Sequence, residues 1–521
     1  MHIFTTRRTR GALTGLAMGL SAAVVVASCA TADPSSHGAS GEQVIMQLNG
    51  PVTSYDPALG VSFQDITVLW SMYDTLVATD SDGTVIPGLA STWTVGPSSA
   101  TFTLRDDVTC SDGEKLTAEV AAKSLRRFFD PATAAPFLTD VIGPENSADV
   151  SVEGQTVTVN LAKAYSGLLS GLSTPFTGIV CSAGTGDPTT LKTGSSGTGG
   201  YMAGDQVAGS SYTFVRRDNY NWGPSFAGLV STGERPAELT MKVVSDENTR
   251  ANLQSTDEVQ IAGYTTDVWK RIAEQKGLTT AVSQQSDTYL MFNQTAGHPT
   301  ADPAVRRAIA EAIDVQRLNQ VQSYGAGEVM SDLGESTYAC HDESMTSKLP
   351  RLDPRKAAET LGGLSLKVNG TTLLAGGDAN SYVASALGSA GANVSFENLD
   401  NQRWAAGLFK PLNDWDVTIL VYANTSSSLL SAANFFTGAV PPEGQNISAV
   451  SNDAASRALD AARQSSGTDG CKALSTYQGL LLDNVNVLPL ATAPATIAYA
   501  PGVTSVVSKG FVRAATIRVA P

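Results

Sequence analysis

The hydrophobic pattern of the chain switches repeatedly between a period of two and a period near 3.6. Residues 44–48 alternate like a strand until Asn49-Gly50-Pro51 breaks the run. Residues 101–105 alternate again, with Phe102 and Leu104 on one face, and Asp106-Asp107 turns the chain. After the turn Ser111-Asp112-Gly113, Thr117 is placed to cap a helix whose apolar positions Ala121, Leu125 and Phe128 recur at helical spacing, and Asp130-Pro131 ends it. A second helix starts at Asp302-Pro303, a cap followed by proline at the first helical position, and carries Val305, Ile309, Ala312 and Ile313 on one stripe. Further strand patterns fall at 212–216, 239–244, 289–292 and 417–422. Strands and helices interleaved in this way predict α/β structure.

Composition narrows the class. A chain of 521 residues, 42% hydrophobic and 16% charged, can bury a core too large for one small module, and at least two lobes are expected. The formal charge of −15 repels a phosphate backbone, which argues against a nucleic-acid partner.

The first residues read as an export signal. Arg7, Arg8 and Arg10 precede an apolar stretch over 11–26, small residues Ala27-Ser28 follow, and no acid interrupts the span. Val26-Ala27-Ser28-Cys29 resembles the bacterial lipobox, which implies removal of 1–28 and a lipid on the Cys29 sulfur. Residues 29–41, rich in Ser, Ala and Gly, then read as a flexible tether. The expected location is therefore the cell membrane, lipid-anchored on the extracytoplasmic face.

Four further cysteines, Cys110, Cys181, Cys340 and Cys471, suit two disulfides in an exported protein, and none has Cys-x-x-Cys spacing. Three pairings are open. The preferred one joins Cys110 to Cys181 and Cys340 to Cys471, because two cysteines fall in each half of the chain.

Ile86-Pro87-Gly88-Leu89-Ala90-Ser91-Thr92-Trp93, Phe102-Thr103-Leu104-Arg105-Asp106-Asp107-Val108, Ser111-Asp112-Gly113 and Leu116-Thr117-Ala118-Glu119 follow one another in the order found in the family-5 extracellular solute-binding proteins. The resemblance continues through Ser54-Tyr55-Asp56-Pro57-Ala58, Tyr73-Asp74-Thr75-Leu76-Val77, Gly197-Thr198-Gly199-Gly200-Tyr201, Asn219-Tyr220-Asn221-Trp222, Phe292-Asn293, Val305-Arg306-Arg307-Ala308-Ile309 and Asp353-Pro354-Arg355-Lys356-Ala357-Ala358. Two positions depart from the pattern: Val120 where the family usually has Asp, and Gly200 where it usually has Pro. Members of this family are the peptide, nickel and related binding components of ABC importers. The resemblance implies an α/β, two-lobed periplasmic-binding-protein-like fold with a ligand cleft, lobe I at 42–262 with 490–521 returning to it, and lobe II at 263–489. It also implies a monomer that captures a small molecule or oligopeptide by lobe closure and hands it to an ABC permease in the membrane.

By position, the cleft residues implied are Val52, Thr53, Ser54 and Tyr55 after the first strand, Tyr289, Trp404, and Tyr422, Ala423, Asn424 and Thr425, with Tyr264 a weaker addition. Each aromatic has core packing as its plainer role. Peptide binders of the family carry Ala-Asp-Tyr where this chain has Ala423-Asn424-Thr425, and that Asp meets the peptide's terminal ammonium. A neutral amide forgoes the ion pair, so a peptide-like or other polar solute without a free amine is expected, unless Asp400 or Asp414 replaces the missing charge. Only His37, His298 and His341 follow the expected cleavage site, and none forms a spaced pair, so no metal site and no cofactor are expected, with a nickel chelate as a minor alternative. Nucleophile-elbow, zinc-protease, phosphate-loop and dinucleotide motifs are missing, which argues against an enzyme. A secreted hydrolase stays a lesser alternative, and a sensing or chaperone-like lipoprotein of the same fold another.

Overall fold

The structure, a computed structural model, describes residues 41–230, 232–410 and 414–520. The expected leader 1–28, Cys29 and the tether up to residue 40 lie outside the described residues. Among those described, no helix is long and apolar enough to cross a membrane.

Ten strands make one sheet in the order Asn393–Leu399, Ser365–Thr371, Val417–Tyr422, Thr279–Phe292, Val487–Tyr499, Ile261–Tyr264, Gln43–Leu48, Glu238–Val243, Ser211–Arg216 and Tyr201–Val207. The two central strands are the long ones, of 14 and 13 residues. Thr496 to Tyr499 also pair with Ile261–Tyr264, whereas Asp287 to Phe292 also pair with Val417–Tyr422. Each long strand therefore belongs to one half of the sheet at one end and to the other half at the other. Between the halves the register shifts, first at Gln284/Ser286 and again at Asp287/Tyr289. Pro494 and Pro489 stand opposite Gln284 and Tyr289, at the edges of those irregularities. Proline has no N–H to give to the ladder, so the pairing yields there and the local twist rises.

The predicted helices form as their caps require. Thr117 Oγ1 accepts the Val120 N–H at the start of Ala118–Phe129, and Ala121, Leu125 and Phe128 are buried. This helix covers a separate antiparallel sheet of Ala90–Val95, Ser99–Leu104, Thr156–Leu161 and Ala148–Glu153, a subdivision that the alternation of residues 101–105 alone does not reveal. Asp302 caps Pro303–Ala312 through the Ala304 N–H at 2.8 Å. Arg306, on the buried face of that helix, donates from its guanidinium to the carbonyls of Thr300, Ala301, Asn484 and Val485 at 2.8–3.0 Å. Burial pulls it down to about 10. Gly197 and Gly199 run against the end of helix Phe63–Met72, where a Cβ at either would stand 2.4 Å from Met72 backbone atoms. The disulfides are Cys110–Cys181 and Cys340–Cys471, the preferred pairing.

Candidate functional site

In the first half of the sheet, the segment after Gln43–Leu48 is held by one carboxylate. Asp65, in the capping box of helix Phe63–Met72, accepts from Thr53 N at 2.7 Å, Thr53 Oγ1 at 2.6 Å and Ser54 N at 3.1 Å. Val52 N donates to Tyr212 Oη at 3.0 Å. Tyr55 is buried against Tyr212 and Phe214, and burial raises its hydroxyl above the usual phenol range. Tyr264 donates its hydroxyl to Gln254 at 2.9 Å and lines a small cavity of about 60 Å³ beside Phe63, Gln285 and Phe511.

In the second half, Tyr289, Tyr422 and the turn after it gather at one end of the strands. Tyr289 donates to the Leu333 carbonyl at 2.9 Å and packs edge-on against Phe436, while Tyr422 packs on Phe435. Asp287 stands opposite Tyr422 in the ladder. Asn424 Oδ1 accepts from Ser426 Oγ at 2.9 Å, and its Nδ2 donates to the Ser428 carbonyl at 2.9 Å, so the amide shapes its own loop. Ala423 is half-buried and Thr425 buried beside it. Trp404 is set apart: it sits on helix Asn401–Leu408 with Nε1 on Thr418 Oγ1 at 3.0 Å.

A buried seam of contacts between distant segments runs beside Tyr422, near enough for the charges of Asp140 and Asp287 to act on its hydroxyl. Asp140 Oδ1 accepts from Asn434 Nδ2 at 2.8 Å, and Asn434 Oδ1 accepts from Arg463 Nη2 at 3.0 Å. Ser166 donates to the carbonyls of Arg463 and Ala462 at 2.7 and 3.0 Å. Nearby Lys509 pairs with Glu335 and lies 4.9 Å from the Tyr338 ring centroid, and Tyr338 donates to Asp287 at 2.7 Å. Burial pushes Asp140 up to about 7, partly offset by the Asn434 bond. Asp287 is also raised to about 7, by burial first and then by the charge of Glu335.

Asp140, Asn434, Asp287, Glu335 and Lys509 were not singled out from the sequence. Asp140 carried a signal, an acid with Leu138, Val141 and Ile142 around it, whereas the others needed their partners to be known. Asp400 and Asp414 do not enter the seam. Asp400 caps its own helix through Arg403 N, and exposed Asp414 pairs with Lys367. His298 meets Asp416 at 2.7 Å and His341 meets Asp332 at 3.2 Å. Cys110, Asp112 and Glu114 lie close together, but the Cys110 sulfur is in a disulfide and Glu114 accepts from Ser182.

Two α/β lobes joined by crossing strands are the architecture of a periplasmic-type solute-binding protein. The comparisons agree: residues 84–445, more than half of the chain, match the model of bacterial extracellular solute-binding proteins, family 5, and the chain belongs to that family. It is 30% identical over 322 residues to the nickel-binding periplasmic protein of Escherichia coli K12, covering 59% of this chain and 57% of that protein. The Escherichia coli periplasmic murein peptide-binding protein MppA is 23% identical over 308 residues, covering 55% of each. These matches span little more than half the length of the curated relatives. Among solved structures, a substrate-binding protein from Microbacterium hydrocarbonoxydans complexed with 4-hydroxybenzoate hydrazide superposes with TM-score 0.81 at 29% identity, covering 92% of this chain and 100% of that one.

Proposed function

We propose that the protein is the lipid-anchored binding component of an ABC importer, tethered through Cys29, which takes a peptide-like or other small polar solute by lobe closure and passes it to a membrane permease. The lobes on this reading are 42–262 with 490–521, and 263–489. The carrying observation is the seam itself, where Asp140 on one side faces Tyr422 and the Asn424 loop on the other. A ligand favours closure only by the free energy with which it prefers the closed state, so groups from both sides must touch it.

The ligand class follows from charge. Asn424 is neutral, and Asp140, raised to about 7, holds a proton much of the time near neutrality. Immediately beside Tyr422 and the Asn424 loop stand amides, hydroxyls and a carboxyl raised to about 7, a setting that suits an N-acylated or otherwise amine-blocked solute better than a free ammonium. The relative crystallised with an acyl hydrazide is in keeping with such a ligand. A nickel chelate is less well served, because His298 and His341 are each engaged with an aspartate.

Calorimetry with N-acetyl-trialanine and trialanine tests this reading. The acetylated peptide should bind at least tenfold more tightly and be recovered unchanged by mass spectrometry. Tighter binding of the free amine, or hydrolysis of either, would overturn it.

A further inference from the structure

A cavity of about 260 Å³ shares no lining residue with the seam and has Trp70, Asp74, Phe226, Arg235, Arg513 and Arg518 in its wall. Its charge is unusual for a chain of net charge −15. Three guanidinium groups line it, and among the described residues none of the three is paired with a carboxylate. Arg235 donates to the carbonyls of Gly200, Arg217 and Tyr220, and Arg518 to those of Ala515 and Ile517. Main-chain carbonyls satisfy donors but leave the positive charge uncancelled. The single acid in the wall, Asp74, already accepts from Tyr220 Oη at 2.9 Å and Trp222 Nε1 at 3.2 Å, and burial raises it to about 6.

Arg513 is the most exposed to this imbalance. It is 7% accessible, its Nε is buried without a partner, and its guanidinium lies 3.5 Å from the Trp70 ring centroid and 5.2 Å from that of Phe226. Asp80 lies near enough to act on its charge, but the Asp80 carboxylate accepts instead from the N–H groups of Ser81 and Ala227. Stacking on aromatic faces fixes the plane of the fork, and Arg513 forms part of the cavity wall. Gly200 contributes space: a Cβ there would stand 3.0 Å from Arg235 Nη1 and from Ala515 Cβ.

We propose that this cavity is a second ligand site, separate from the seam between the lobes, and that it binds a compact organic anion with a flat apolar body, of the aromatic carboxylate class. The carboxylate takes the paired donors of the Arg513 fork, a charge-assisted contact beside a buried guanidinium, and the ring lies among Trp70, Phe226 and Leu229. The site goes beyond solute capture in the cleft and does not depend on it.

The probe is benzoate, with its neutral isostere benzamide, followed by ligand-observed NMR and calorimetry on the exported chain. Benzoate should bind at least tenfold more tightly than benzamide. Arg513→Gln should weaken benzoate at least tenfold. Ser225→Trp, at an exposed position on the rim of the cavity, should do the same without touching the core, which covers the case in which the arginine variant fails to fold. Asp140→Asn, in the seam, should leave benzoate binding unchanged. Equal binding of benzamide, no benzoate binding at millimolar concentration, indifference to both cavity variants, or a loss on Asp140→Asn would each overturn the proposal. None of these outcomes bears on the acetyl-peptide titration that tests the cleft.

Discussion

The Asp140 carboxylate accepts a 2.8 Å hydrogen bond from the Asn434 amide, joining positions 294 residues apart across the seam between the lobes. The contact buries a titratable group, and its protonation is tied to folding.

Asp74, Asp140 and Asp287 are raised to about 6, 7 and 7, above the value near 4 that a carboxyl has in an unfolded chain. Between about pH 4 and 7 the folded state therefore binds more protons than the unfolded state, so stability falls as pH rises through that window, by about 1.4 kcal/mol per pH unit for each proton involved. Urea denaturation should give a higher midpoint at pH 5 than at pH 7.5. Asp140→Asn should narrow that difference, and an unchanged pH profile in the variant would count against the assignment.

Asn424→Asp would place a carboxylate where Ser426 and Ser428 already donate, but would lose the Nδ2 bond to the Ser428 carbonyl. Stability should drop by about 1–3 kcal/mol. In return, trialanine should gain at least tenfold over N-acetyl-trialanine in calorimetry, reversing the preference proposed for the native chain.

Lys509 and Glu335 form an ion pair with side chains only 7% and 4% accessible, beside the raised carboxyl of Asp287. Lys509→Met leaves Glu335 buried without its cation, a change that commonly costs about 3–5 kcal/mol. On the proposed lobe division Lys509 and Glu335 belong to different lobes, and on that division the variant should also sample wider lobe separation. Small-angle scattering should show a larger radius of gyration, and thermal denaturation a lower midpoint.

Removing either disulfide should cost about 2–4 kcal/mol. The Cys340–Cys471 loop spans 131 residues against 71 for Cys110–Cys181, so the paired serine substitution at 340 and 471 should cost more, by a few tenths of a kcal/mol in the chain-entropy account. Denaturant midpoints of the two double variants decide the order.

Much of the fold was legible because its causes are local. Thr117 and Asp302 announce their helices from one side chain and the next turn, and Phe102 with Leu104 announces a strand face by alternation alone. The ordered motifs carried the family. The candidate site was legible only in part. Tyr289, Tyr422 and Asn424 do assemble at one end of the second lobe, whereas Trp404 lies apart on Thr418 and Tyr55 is packed on the sheet of the first lobe. An aromatic residue shows the same pattern in sequence whether its ring meets core or cleft, and only the neighbours differ.

By itself, then, the sequence determined the α/β class, the helix and strand positions it signalled and the neutral residue at 424, and it favoured one of three cysteine pairings, which the structure then fixed. Tertiary structure alone decided that two long strands, interrupted near Pro489 and Pro494, serve both lobes, and that Asp140 meets Asn434, Lys509 meets Glu335 and Arg513 faces a cavity with no carboxylate partner. The physical reason is distance along the chain. Caps and periodicity act within a few residues, whereas the charge state and the contacts of a buried group are set by side chains that only folding brings beside it.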